Sequence, residues 1–218
     1  MFFVDRLDAG RQLAARMRGF EQDDPVVLGL PRGGVPVAAE VARTLDAPLD
    51  VCLVRKLGVP YQPELGMGAL GEGGVRVIND EVVRGARVTP EELEQVEARE
   101  RAVLEERARR YRGQRPPLPV EGRTVVLVDD GVATGSTARA ACRIARARGA
   151  ARIVLAVPVA PQDWTMRLGE EADDLICLGT PREFFAIGQF YADFAQTDDS
   201  EVVRCLEQAA ERVSGRHT

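Results

Sequence analysis

The sequence predicts an α/β fold: a mostly parallel central sheet flanked by helices, with a small C-terminal hood. Three observations lead there. Short apolar runs alternate with helical patterns along most of the 218 residues, as expected of strands joined by crossover helices. Two of those runs, Val26 to Leu30 and Val125 to Val128, lead into glycine-bearing loops that open a helix. The length is enough for one domain with a substantial core. The expected organisation is a single domain over 1–218, with a core over about 1–180 and a hood over about 181–218.

Apolar residues at 7, 10, 13, 14 and 17 predict an N-terminal helix from Leu7 to Met17. Val26 to Leu30 reads as a buried strand entering the tight loop Pro31-Arg32-Gly33-Gly34, followed by a helix from Val35 to Leu45. Leu49 to Val54 predicts the next strand. Pro60 to Gly74 is rich in glycine and proline, too full of breakers for a core element, with a short strand at Val75 to Ile78 beside it. Thr89-Pro90-Glu91-Glu92 is a strong helix start, with Thr at the N-cap, Pro at the first position and Glu at the third. That helix should run to about Arg112, packed by one narrow apolar stripe, its other Glu and Arg residues forming solvated i,i+4 pairs. Beyond the strand starting at Thr124, the pattern predicts a helix to Arg148, strands at Ile153 to Val157 and Asp174 to Leu178, and helices at Gln162 to Leu168 and Val202 to Val213.

Bulk properties exclude several functions. A net charge of −5 argues against a nucleic-acid partner held by general electrostatics. No run approaches 18 apolar residues and the N-terminus carries Asp5, Arg6 and Asp8, so neither a membrane span nor a signal peptide is expected, and the location should be cytoplasmic. Cys52, Cys142, Cys177 and Cys205 are widely spaced and read as buried free thiols. The only histidine is His217, which leaves no pattern for a zinc site or a His-activated nucleophile.

The chemistry concentrates in Thr124 to Thr137, TVVLVDDGVATGST. An apolar strand runs into Asp129 and Asp130. A loop of small and hydroxylated residues then opens a helix. Backbone amides from Ala133 to Thr137, with the hydroxyls of Thr134, Ser136 and Thr137 and the freedom of Gly135, suit a phosphate at the helix N-terminus. Two carboxylates would repel a phosphate, but they suit the vicinal hydroxyls of a ribose attached to it. There is no Walker-type lysine after Gly135. An apolar strand ending in Asp-Asp also occurs in other doubly wound proteins, where the carboxylates bind Mg²⁺.

This stretch resembles the 5-phosphoribosyl-1-pyrophosphate (PRPP) motif of the type I phosphoribosyltransferases, in an uncharacterised bacterial branch. The resemblance implies a Mg²⁺-dependent glycosyltransferase of nucleotide metabolism. It would transfer ribose 5-phosphate from PRPP to a small nitrogen acceptor, with a nucleobase the natural choice, and release pyrophosphate. It implies that Arg32, Gly33 and Gly34 bind the pyrophosphate, often beside a non-proline cis peptide, at Pro31–Arg32 or Arg32–Gly33 in this chain. It also implies that Arg55 and Lys56, the latter the sole lysine, are catalytic cations that contact the diphosphate where a catalytic lid opens. Mg²⁺ would bridge diphosphate and ribose hydroxyls, with no full protein cage. Relatives of the purine type often carry an acid where Ala133 stands, so this loop supplies no general base. Phe184, Phe185, Phe190, Tyr191 and Phe194 would form the hood over the acceptor, and a homodimer is the natural assembly. A PRPP- or nucleotide-binding regulator on the same fold is the main alternative. An aspartate-nucleophile phosphohydrolase is disfavoured, since it has no need of a second glycine loop.

Overall fold

The computed structural model describes residues 2–215. Its elements run α1 (Arg6–Arg16), β1 (Val26–Gly29), α2 (Gly34–Thr44), β2 (Leu49–Val51), β3 (Val54–Val59), β4 (Gln62–Gly71), β5 (Arg76–Ile78), α3 (Asp80–Gly85) and α4 (Pro90–Arg112). They continue β6 (Thr124–Val128), α5 (Ser136–Ala147), β7 (Arg152–Val159), α6 (Trp164–Leu168), β8 (Asp174–Gly179) and α7 (Asp199–Ser214). His217 lies outside the described residues.

Five strands make a parallel sheet in the order β2-β1-β6-β7-β8. Both faces are covered, so alternate residues of one strand enter different cores. Val126 and Val128 join α1, α2 and α7, whereas Val125 and Leu127 join α5 and α6. Each such buried aliphatic side chain contributes about 1.5–3 kcal/mol of transfer free energy. From β1 the chain steps outward to β2, then returns to place β6 on β1's other side. That reversal makes a crevice between β1 and β6 at their carboxyl ends, where such sheets bind ligands.

A second sheet, antiparallel in the order β3-β4-β5, corrects two expectations. The predicted strand Leu49 to Val54 is broken at Cys52–Leu53, its two halves serving different sheets. The glycine-rich segment expected to be a loop is largely β4, ten residues long. Two of its glycines sit where neighbours press in: a Cβ on Gly71 would overlap the Ile144 side chain, and one on Gly68 would stand 2.5 Å from the Val77 carbonyl oxygen. Glycine weakens a lone strand, but here it permits the close packing that stabilises the layer.

This small sheet is sandwiched. Leu57, Met67 and Leu70 face α4, while Ala69 faces Ala140 and Ile144 of α5. The α4 helix begins with the expected capping box at Thr89 and Glu92. Its charged residues divide: Glu106 and Arg110 make an exposed i,i+4 pair of the expected kind, but others reach inward to distant partners. Glu100 pairs with Arg55, Glu97 with Arg76, and buried Arg112 with both Asp50 and Glu72. These partners lie 21 to 62 residues away, beyond any local i,i+4 rule.

The chain ends also differ from the expected division. Phe3 bridges to Tyr191 and packs on Phe190, so the hood is built from the N-terminal segment together with residues 184–194. α7 is not part of it: Val202, Leu206 and Ala209 pack in the main core.

Candidate active site

The two loops at the β1/β6 crevice are pressed together through glycine. A Cβ on Gly33 would overlap the Asp130 carboxylate, and one on Gly34 would lie 2.6 Å from the Val128 carbonyl oxygen. These positions need glycine for close approach rather than for an unusual φ. The peptide bond Pro31–Arg32 is cis. The Arg32 charge is felt at Asp199 and Tyr111, but its side chain makes no hydrogen bond or ion pair to protein among the described residues. Its donors are therefore open to a ligand.

On the β6 side, Asp130 is buried and its carboxylate accepts from Arg6 Nε at 2.8 Å. Arg6 also donates to the Ala195 carbonyl at 2.6 Å and lies 4.0 Å from the Phe194 ring centroid. The Tyr191 hydroxyl donates to the Asp130 backbone carbonyl at 2.6 Å, tying hood to acidic loop. Asp129 Oδ1 accepts the Asp130 amide at 2.9 Å. Burial and then the neighbouring Asp130 charge hold the Asp129 carboxyl well above its ordinary range. Burial also raises Asp130, against the opposing pull of Arg6. The pair therefore favours one shared negative charge, carried by the arginine-bound Asp130.

Gly135 has φ +81° and caps α5, a left-handed turn that favours glycine. The amides of Thr134, Gly135 and Thr137 have no protein acceptor among the described residues, and the Thr134 hydroxyl stands 3.3 Å from Ser136 Oγ. Donors left unsatisfied at a helix start are the elements of an anion hole.

The expected cationic pair separates. Adjacent strand residues point to opposite faces, so Arg55 turns to Glu100 on α4 while Lys56 Nζ reaches Ser136 Oγ at 3.1 Å. The structure brings together Asp129, Asp130, Arg32, Gly33, Gly34, the Ala133–Thr137 loop and Lys56. It leaves Arg55 in the layer beneath. Sequence reasoning missed Arg6 and the hydrogen-bonding role of Tyr191. No local pattern signals either, since their Asp130 partner lies 124 and 61 residues away.

Mg²⁺ does not fit as an ion held by the protein. No group of three or more His, Cys, Asp or Glu able to hold a metal occurs among the described residues, and Asp130 is committed to Arg6. No described helix is long and apolar enough to cross a membrane.

The family model for the phosphoribosyl transferase domain matches residues 5–188, from α1 into the hood. The chain belongs to this family. Proteins of Mycobacterium tuberculosis strains CDC 1551 / Oshkosh and H37Rv, provisionally named phosphoribosyl transferases, are 56% identical over 207 residues. That match covers 95% of this chain and 47% of theirs, so the chain spans about half the length of these relatives. The crystal structure of TT1426 from Thermus thermophilus is 46% identical, with a TM-score of 0.87, covering 95% of this chain and 99% of that one. In this phosphoribosyl transferase domain, the acidic end of β6 and the glycine-bearing loop that opens α5 lie inside the matched region.

Proposed function

We infer that this domain moves ribose 5-phosphate from PRPP to a nitrogen acceptor, a nucleobase or similar flat heterocycle, releasing pyrophosphate. The observation that carries the reading is the glycine-mediated contact of two loops at the β1/β6 crevice. It brings the backbone beside Arg32, a carboxylate pair and a helix start with unsatisfied amides together, which supports a site for a charged sugar phosphate. The 5′-phosphate would lie on the Ala133–Thr137 backbone, with Lys56 beside it. The ribose hydroxyls would donate to Asp129 and Asp130. The diphosphate would meet Arg32 and the backbone of Gly33 and Gly34. Magnesium, if used, would enter on the diphosphate oxygens of the substrate.

Positive charge develops on the sugar as the C1–O bond breaks, and negative charge on the leaving diphosphate. The shared charge of the Asp pair faces the first, and Arg32 faces the second, a fixed electrostatic arrangement rather than an acid–base relay. No carboxylate stands at Ala133 to take the acceptor's proton, so an acceptor that is already anionic or readily deprotonated suits the site. An apolar cavity of about 210 Å³ lined by Phe3, Val159, Pro181 and Phe190 lies at the carboxyl ends of β7 and β8. It offers flat apolar walls to such a ring.

The test is pyrophosphate release from PRPP and Mg²⁺ with a panel of purine, pyrimidine and other nitrogen acceptors. Turnover with one acceptor class, lost in Arg32→Ala, supports the transferase. PRPP binding by calorimetry with no pyrophosphate from any acceptor would favour a PRPP-binding regulator.

A further inference from the structure

Between α5 and the β3–β5 sheet lies a cavity of about 290 Å³ that extends beyond the residues the proposed transfer uses. It begins at the phosphate loop, since Ser136 and Lys56 line it, and continues along α5 past Arg139 and Arg143. The opposite wall is backbone: Gly66, Gly68 and Ala69 leave the space that ordinary strand residues would fill. Such a wall lets a ligand lie close to the sheet.

The charge around it is unbalanced. Arg143 is held by a bidentate pair with Glu171, but that carboxylate serves both arginines. Arg139 donates to the Arg167 carbonyl at 2.7 Å, yet its Nε is buried without a hydrogen bond, 3.5 Å from Glu171 Oε1. That loose ion pair leaves the arginine's charge only partly compensated. Among the described residues Lys56 has no carboxylate partner and bonds only to the Ser136 hydroxyl. Asn79 accepts from the Val82 amide through Oδ1, which leaves its NH₂ available at the rim. Three cations against one carboxylate, with a hydroxyl and an amide donor, form a strongly anion-selective wall.

The geometry points to a polyphosphate subsite: the cavity receives the distal phosphates of a nucleoside 5′-di- or triphosphate whose first phosphate occupies the Thr134–Thr137 loop. This rests on the reading that the loop holds a 5′-phosphate. The ribose would extend from the loop toward Asp129 and Asp130, and the phosphate chain away from it, past Lys56 and along α5. The loop and the cavity share Ser136, so the two parts form one continuous track. Bound there, a nucleoside triphosphate would occupy the ribose and 5′-phosphate positions and exclude PRPP, making it a competitive ligand.

The test is calorimetry on the full chain in EDTA at constant ionic strength. It compares ribose 5-phosphate, a nucleoside monophosphate, the matching triphosphate and inorganic triphosphate. The triphosphate should bind about tenfold or more tightly than the monophosphate, the effect of one or two added charged hydrogen bonds. Inorganic triphosphate should compete with it, whereas a preference owed to the nucleoside would show no such competition. Gly66→Glu places a carboxylate in the cavity from a position where a Cβ meets nothing within 4 Å. It should erase the triphosphate gain while leaving ribose 5-phosphate affinity unchanged, which also reports that the protein is folded. Arg139→Gln should give a partial loss of the same gain. Equal affinity for mono- and triphosphate, or a gain that survives in both variants, would overturn the subsite. Failure of the transferase reading looks different: no PRPP turnover, with the triphosphate gain intact.

Discussion

The two faces of the β3–β5 sheet have opposite electrostatic fates. Toward α4 every strand cation is matched: Arg55 by Glu100, Arg76 by Glu97, while Arg112 of the helix bridges Asp50 and Glu72. Toward α5 the cations Lys56 and Arg139 stand over an open cavity with one carboxylate shared between neighbours. The first face resembles a completed interior, the second a surface prepared for an anionic partner. Two consecutive residues, Arg55 and Lys56, fall on the two sides because the strand alternates. Residue type alone therefore does not tell a structural cation from a ligand-binding one. What decides is whether the fold has already supplied a counter-charge.

The α4 face should yield the largest effect. Arg112→Ala leaves Asp50 and Glu72 without their counter-ion, with the Asp50 side chain only 6% exposed. Breaking a buried ion pair from one side typically costs about 3–5 kcal/mol. Urea denaturation should show that loss. A change within error would mean the α4 face is no more committed than the α5 face.

Next comes the Arg55 and Lys56 pair. Lys56→Ala should weaken ribose 5-phosphate and PRPP alike, by about tenfold, the size of one charged hydrogen bond. Its contact with Ser136 puts it beside the loop proposed to hold the 5′-phosphate. Arg55→Ala should leave both affinities nearly unchanged and cost about 1 kcal/mol of stability, since the Arg55–Glu100 pair is partly exposed. Calorimetry and denaturation on both variants decide. Loss of PRPP binding alone in Lys56→Ala would return that residue to the diphosphate role expected from the sequence.

The smallest effect is a pH dependence. Asp129 holds its proton well above its ordinary 3.8 because it is buried beside Asp130. A ribose hydroxyl donates best to the ionised form, so ribose 5-phosphate affinity should rise as pH climbs through the raised pKa. Asp129→Asn should flatten that rise. The ligand's own phosphate titration, with a pKa of about 6, is common to both proteins and cancels in their ratio. Stability carries the opposite sign: protonation at Asp129 favours the folded state at low pH, and that contribution is lost as pH rises through the folded-state value. Parallel titration curves for wild type and Asp129→Asn would place the raised carboxyl elsewhere.

Much of the molecule was legible in the chain itself. Periodicity located the central strands and the helices between them. Thr89 and Glu92 announced the start of α4, and the run from Thr124 to Thr137 announced β6, its two carboxylates and the start of α5, because these are contiguous. Local order depends on neighbours along the chain, and those the sequence displays. Four things depended on distant partners, and only the tertiary structure decided them. Gly68 and Gly71 look like breakers until β5 and α5 press against the strand that carries them. Glu97 and Glu100 look solvated until β3 and β5 present their arginines. Arg6 looks like an ordinary first-turn residue until the crevice brings Asp130 within 2.8 Å. Arg55 and Lys56 look like a pair until the pleat sends them to opposite sides. In each case the side chain's chemistry was visible from the start, but its counter-charge or packing partner was supplied by a segment far along the chain.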